Sequence, residues 1–184
     1  MSTHPKTITV NGRAYAWPER PLVVVCIDGS QPEYMEEAIK AGRMPFLAEA
    51  LARGADLRAD CVVPSFTNPN NLSIVTGVPP KVHGISGNYF LDPDSGDEVM
   101  MNDPKFLRTD TIFKAFHDAG ARIAIVTAKD KLRRLLGHGL DFSSGRAICF
   151  SSEKANETTL AENGIDNAQA LVGKIDPLIG RERE

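Results

Sequence analysis

The chain has 184 residues, 42% hydrophobic and 24% charged, a balance typical of one globular domain with a substantial core. Its formal net charge of -3 gives no electrostatic reason to bind nucleic acid or an anionic membrane. No apolar stretch approaches transmembrane length, and the N-terminus lacks a signal-peptide layout. Cys26, Cys61 and Cys149 lie far apart in apolar contexts, so we interpret them as reduced core residues of a cytoplasmic protein.

Strand-like and helix-like segments alternate along the chain, which predicts an α/β fold with a mostly parallel central sheet flanked by helices. Residues 7–17 predict a hairpin that turns at Asn11-Gly12. Further strands are predicted at residues 22–27, 55–63, 122–127 and 147–150. Helices are predicted at 32–41, from 45 to the stop at Gly54, from Thr67 toward Gly77, after a cap at Thr109 or Asp110, at 131–136 and at 167–175.

Asp28 directly follows the uninterrupted apolar run at residues 22–27, the pattern of a strand that is covered on both faces. Parallel sheets bind ligands beyond the carboxyl ends of their strands, so Asp28 is a candidate functional carboxylate. Gly29 allows a sharp turn beside it. The alternative is that Asp28 caps the helix that begins near Pro32.

Thr67 lies at or just before the N-terminus of a predicted helix that follows a proline-stiffened turn. Unpaired N–H groups and the helix dipole favour an anion there. The hydroxyl could be an ordinary N-cap. It could also be a nucleophile, which needs activation that a divalent metal would supply.

Three motifs together resemble the alkaline phosphatase superfamily. They are C-I-D-G at residues 26–29, P-S-F-T-N-P-N at 64–70 and T-G-V-P-P-K-V-H-G-I-S-G-N at 76–88. The type I phosphodiesterase/nucleotide pyrophosphatase group shares all three patterns. Within it, Thr67-Asn68 and residues 126–132 are similar to the phosphonoacetate hydrolase family. The resemblance implies that residues 1–184 are the N-terminal portion of an alkaline-phosphatase-like domain, with a hairpin-like segment at 1–20.

That family hydrolyses the carbon–phosphorus bond of phosphonoacetate to acetate and phosphate with two zinc ions. The resemblance makes Thr67 the nucleophile, a substrate contact and a metal ligand, and Asp28 a ligand of the same metal. It makes Asn88 a hydrogen-bond donor to a phosphonyl oxygen. Lys129 and Lys131 would attract the substrate carboxylate, and the less favoured alternative is that these lysines belong to a solvated loop that flanks a helix.

The family completes its metal site with Asp-x-x-x-His, Asp-His and a later isolated histidine. This chain contains neither of the first two patterns, and its four histidines lack zinc-ligand spacing. The resemblance gives His83 a structural role. We expect the remaining ligands to lie downstream of Glu184 and the sheet to be incomplete at its C-terminal end. The chain alone should then bind metal weakly and turn over little or nothing.

Three other functions fit parts of the sequence. One is a phosphodiesterase or nucleotide pyrophosphatase of the same superfamily. Another is an aspartyl phosphotransferase of the haloacid dehalogenase type, which would need Asp or Thr where Ser30 stands. The third is a non-catalytic fragment or binding module. The expected partner is a small-molecule phosphonate, without nucleic acid or membrane, and a homodimer is a possible assembly.

Overall fold

Residues 5–154 are described in the computed structural model of the chain. They form two compact units, one from residues up to Trp17 together with those from Val62 onward, and one from Pro18–Cys61. The first unit contains β1 (Thr7–Val10), β2 (Arg13–Ala16), α3 (Thr67–Thr76), α4 (Pro80–His83), β3 (Tyr89–Leu91), β4 (Glu98–Met100), α5 (Ile112–Asp118), β5 (Ile123–Thr127), α6 (Arg133–Leu136) and β6 (Ala147–Ser151). The second contains α1 (Pro32–Lys40) and α2 (Pro45–Arg53). Short 3₁₀ turns cover Pro104–Phe106, Asp130–Leu132 and Phe142–Ser144.

The N-terminal hairpin is confirmed. Strands β1 and β2 pair antiparallel, and the turn residues Asn11 and Gly12 both have positive φ, as a tight two-residue turn requires. The side chain of Asn11 donates hydrogen bonds to the Thr76 carbonyl oxygen at 2.9 Å and to the Asp110 carbonyl oxygen at 2.7 Å. The first of these bonds ties the hairpin to the C-terminal end of α3, where carbonyl groups lack helical partners.

The parallel sheet consists of β5 and β6 among the described residues, with Ile125 opposite Cys149. This pair and the surrounding helices confirm the α/β class. One buried cluster packs around the sheet and comprises Ile125, Leu136, Leu140, Ala147 and Cys149. A second lies under α3 and comprises Leu72, Ile85, Met101 and Leu135. Burying these side chains is the main favourable contribution to folding of the first unit.

Two strand predictions, at residues 22–27 and 55–63, are wrong for the described part of the chain. Neither segment joins a sheet there, and Val23 is 82% exposed. A strand needs a neighbour to accept and donate its ladder hydrogen bonds. An apolar run signals a tendency to be buried, but it cannot supply that neighbour by itself.

The cysteine prediction is correct at one position only. Cys149 is buried, and burial raises the pKa of its thiol to about 12, so this side chain is an inert core group. Cys26 and Cys61 are exposed because both belong to the segments that do not join a sheet. They are therefore not core residues in this structure.

The helix predictions hold within one or two residues. Helices α1 and α2 cover the predicted segments, and α2 ends at Gly54. The cap of α5 is Thr111, rather than Thr109 or Asp110, and its hydroxyl accepts a hydrogen bond from the Lys114 N–H at 3.0 Å. The predicted 131–136 helix is a 3₁₀ turn that continues into α6. The predicted helix at 167–175 lies outside the described residues. Across residues 5–154, every helix is too short or too polar to cross a membrane.

Candidate active site

Thr67 is the first residue of α3, because the N-cap position belongs to Phe66, whose backbone is extended. The Thr67 hydroxyl makes no hydrogen bond within residues 5–154, and the side chain is half-buried. An N-capping role is therefore excluded for this side chain. What remains is a hydroxyl that is available for chemistry at the positive end of a helix dipole.

Few backbone N–H groups at the N-terminus of α3 lack a hydrogen-bond partner. The Asn68 N–H donates to the side-chain oxygen Oδ1 of Asn88 at 3.0 Å, and Pro69 has no N–H. The Thr67 N–H has no acceptor within residues 5–154. An anion at this helix end would thus meet both the N–H and the hydroxyl of Thr67.

The Asn88 carboxamide has a defined orientation. Its Oδ1 accepts from a backbone N–H, so the other end of the group must be the amine, Nδ2. That amine finds no acceptor in the described part of the chain. The structure therefore brings Thr67 and Asn88 together at one end of α3, with a spare donor on each.

Lys129 and Lys131 are half-buried and lie on the turn that follows β5. Asp130 stands between them, but its Oδ1 accepts from Arg133 Nε at 2.7 Å and from the Ser151 hydroxyl at 3.0 Å. The Asp130 carboxylate is thus engaged with Arg133. The Asp130 backbone N–H also donates to Glu153 Oε2 at 2.8 Å, so two carboxylates lie on this turn with the lysines.

Lys131 is not joined to the helix end through a direct polar contact, since it makes no hydrogen bond or ion pair with Thr67 or Asn88 within residues 5–154. The two lysines share one turn, as their spacing suggests, while their part in binding stays a prediction.

Asp28 lies on an exposed turn of the second unit, followed by Gly29 at a φ of 70°. The N-cap of α1 is Gln31, and no side chain caps this helix. The capping alternative for Asp28 is therefore wrong, and its carboxylate has no structural task that the described residues reveal.

Metal binding needs more donors than the described residues assemble. Between residues 5 and 154 no group of three or more His, Cys, Asp and Glu side chains could hold a metal ion. The Asp28 carboxylate and the Thr67 hydroxyl are oxygen donors of a type that fits zinc, which usually takes three or four protein ligands. Each supplies one oxygen donor, and the two residues belong to different compact units.

His83 is fully buried, and both ring nitrogens are committed. The Ser73 hydroxyl donates to the Pro69 carbonyl oxygen at 2.8 Å, so it accepts from Nε2–H of His83 at 3.0 Å. Nδ1 accepts from the Ile85 N–H at 3.1 Å. The ring is therefore neutral, and burial lowers its pKa below the usual range. No ring nitrogen is left for a metal, which agrees with the structural role that the resemblance implies.

This buried histidine makes the fold sensitive to acid. The pKa of His83 is lower in the folded than in the unfolded chain, so the unfolded chain binds the proton more readily, and stability falls as pH drops below about 6.5. We expect His83→Gln to flatten the dependence of unfolding free energy on pH between about 6.5 and 5. Urea denaturation at several pH values measures this slope. The exposed His138→Gln serves as control and should keep the wild-type slope; identical slopes in all three proteins would contradict the prediction.

The chain belongs to the type I phosphodiesterase/nucleotide pyrophosphatase family, whose family model matches residues 22–141. Ectonucleotide pyrophosphatase/phosphodiesterase C27A7.3 of Caenorhabditis elegans is 39% identical over 83 residues, 44% of this chain and 10% of that protein.

Two solved structures share a much higher sequence identity with this chain. Phosphonoacetate hydrolase from Sinorhizobium meliloti 1021, in complex with phosphonoformate, is 62% identical, with a TM-score of 0.87. The same enzyme in complex with phosphonoacetate is 61% identical, also with a TM-score of 0.87. Each match covers 92% of this chain and 41% of the solved chain. The predicted resemblance is confirmed, and the chain spans about two fifths of these solved relatives.

Proposed function

We propose that this chain supplies the nucleophile and the anion-binding end of a metal-dependent phosphonoacetate hydrolase. The observation that carries the proposal is the N-terminus of α3, where the Thr67 hydroxyl and N–H and the Asn88 amine are all unengaged within residues 5–154. These three groups suit a tetrahedral phosphonyl group: one attacks phosphorus, and two donate to its oxygens.

The reaction proceeds by displacement at phosphorus. The Thr67 hydroxyl gives its proton to water as its oxygen forms a bond to phosphorus and the carbon–phosphorus bond breaks. The electron pair of that bond stays on the acetate carbon, which takes a proton back from water, so the protons balance. A second water then hydrolyses the phosphothreonine to free phosphate and the original hydroxyl. The Asn88 amine and the Thr67 N–H stabilise the charge that develops on the phosphonyl oxygens. Bound zinc supplies activation of the hydroxyl.

We propose that Lys129 and Lys131 bind the substrate carboxylate. Both are half-buried, where an ammonium–carboxylate pair is stronger than in water. The intervening Asp130 accepts a hydrogen bond from Arg133 Nε at 2.7 Å. Charge on the departing acetate fragment would be stabilised by the same two cations.

We propose zinc as the metal and Asp28 and Thr67 as two of its ligands, with the other ligands outside residues 5–154. Support comes from the motifs that surround both residues, from the lack of a structural task for either side chain, and from the incomplete donor set of the described residues. A cytoplasmic location and a homodimer stay predictions.

A second candidate function is hydrolysis of nucleotide phosphodiesters or pyrophosphates, since the family model and the Caenorhabditis elegans relative carry that description. The turn that carries Lys129 and Lys131 favours phosphonoacetate, because of the two substrates only phosphonoacetate has a carboxylate next to the phosphorus group.

The test measures acetate and phosphate release with added zinc. Two proteins are compared: the 184-residue chain, and this chain continued with the downstream sequence of its 62%-identical relative. Lys131→Met should raise KM for phosphonoacetate about 10- to 100-fold, the size of a lost charged hydrogen bond, and should change a carboxylate-free phosphonate ester far less. Faster hydrolysis of nucleotides than of phosphonoacetate, or equal effects of Lys131→Met on both substrates, would favour the second candidate.

A further inference from the structure

Three hydrogen bonds form a closed ring beside the nucleophile. The Asn68 backbone N–H donates to Asn88 Oδ1 at 3.0 Å, and the Asn68 side-chain amine donates to the Met101 carbonyl oxygen at 2.9 Å. The Met101 N–H in turn donates to the Asn88 carbonyl oxygen at 2.8 Å. Each residue is bonded to the other two. The ring therefore fixes the N-terminus of α3 relative to the open end of the β3–β4 hairpin, where Asn88 precedes β3 and Met101 follows β4.

Asn68 donates hydrogen bonds to both other members of the ring, Asn88 and Met101. It is 1% exposed, and it uses its main chain toward Asn88 and its side chain toward Met101. Its Oδ1 is buried without a hydrogen-bond partner within residues 5–154. A buried unpaired oxygen is destabilising, so a residue chosen for stability alone would not carry one.

We propose that Asn68 is a positioning residue that aims the Asn88 carboxamide at the phosphonyl group. The inference rests on the proposed function of Asn88. Without the bond from Asn68 to Met101, the helix end and the hairpin can shift against each other, and the bond that holds Asn88 Oδ1 loosens. The Asn88 amine is then less often in position to donate to a phosphonyl oxygen, although the Thr67 side chain is unchanged.

The first test is independent of catalysis. In the full chain, the Asn68 backbone N–H should exchange with solvent slowly in the wild type. It should exchange at least about tenfold faster in Asn88→Ala, which removes its acceptor, and in Asn68→Asp, which turns the donor to Met101 into an acceptor. Thr76→Val is the matched control: it removes a buried hydroxyl, which donates to the Leu72 carbonyl oxygen, at the other end of α3. This control should leave exchange at Asn68 near the wild-type rate. An unchanged exchange rate of the Asn68 N–H in both Asn88→Ala and Asn68→Asp would contradict the ring of three hydrogen bonds.

The second test uses calorimetry to measure binding of inorganic phosphate to the zinc-loaded chain continued with the downstream sequence of its relative. Asn68→Asp should raise Kd about tenfold in the wild-type background and less than about threefold in the Asn88→Ala background, because Asn68 acts through Asn88. Equal effects in the two backgrounds, or an equal effect of Thr76→Val, would overturn the positioning role. If phosphate binds as expected but phosphonoacetate is not hydrolysed, the proposed function fails while the positioning role stands.

Discussion

Thr67→Ala is expected to lower phosphate release from phosphonoacetate by about a thousandfold or more, since removing a nucleophile removes the covalent route. Thr67→Ser keeps a hydroxyl at the first position of α3 and should retain measurable turnover. Both proteins should unfold like the wild type, because the Thr67 side chain makes no hydrogen bond within residues 5–154. Thr67→Ala should bind zinc more weakly than Thr67→Ser, because it removes a proposed zinc ligand. Steady-state assays of phosphate and acetate, done on the chain continued with the downstream sequence of its relative, supply the rates.

A direct measurement complements the rates. Acid-quenching the reaction during turnover should trap a phosphoryl group on the peptide that contains Thr67, and mass spectrometry detects it. Substantial activity in Thr67→Ala, or a phosphoryl group on another residue, would show that a different group attacks phosphorus.

Leu72→Ala is expected to lower the free energy of unfolding by about 2–5 kcal/mol, the usual cost of removing a large buried side chain. Leu72 is fully buried on α3 and packs in the cluster with Ile85, Met101 and Leu135. The matched control is Ile74→Ala, two residues along the same helix, whose side chain is 51% exposed and should cost much less. Equal losses for the two variants in urea denaturation would show that this cluster is not the core of the first unit.

Local signals in the sequence are enough to predict most of the described elements. Asn11-Gly12 specifies the hairpin turn, Gly77 adopts the positive φ that ends α3, and the apolar run at residues 123–126 becomes β5. These features depend on neighbours in the chain. The run at residues 22–27 carries an equally strong signal, yet it joins no sheet within residues 5–154, because pairing depends on a partner strand elsewhere.

Candidate site residues were found through motifs, and their roles could only be judged from contacts. Thr67 and Asp28 each had a capping alternative, and the capping geometry of α3 and α1 excludes both. Sequence reasoning missed the positioning role of Asn68 and its bond to Met101, because a bond to a main-chain carbonyl 33 residues away leaves no mark on residue type. The neutral state of His83 likewise depends on Ser73 and on the Ile85 N–H.

The sequence by itself determined the family of this protein, the hairpin turn, the approximate positions of most helices, and the side chains that we propose to attack and bind a phosphonyl group. Those properties follow from residue type and from spacing within short segments. The tertiary structure alone decided that the Asn68 N–H occupies the Asn88 side-chain oxygen and leaves its amine unpaired within residues 5–154, and that the Thr67 hydroxyl is unengaged there. It also decided that His83 is buried as a neutral imidazole. Each of these depends on atoms far apart in the chain, and their approach is fixed by packing of α3 rather than by any local preference.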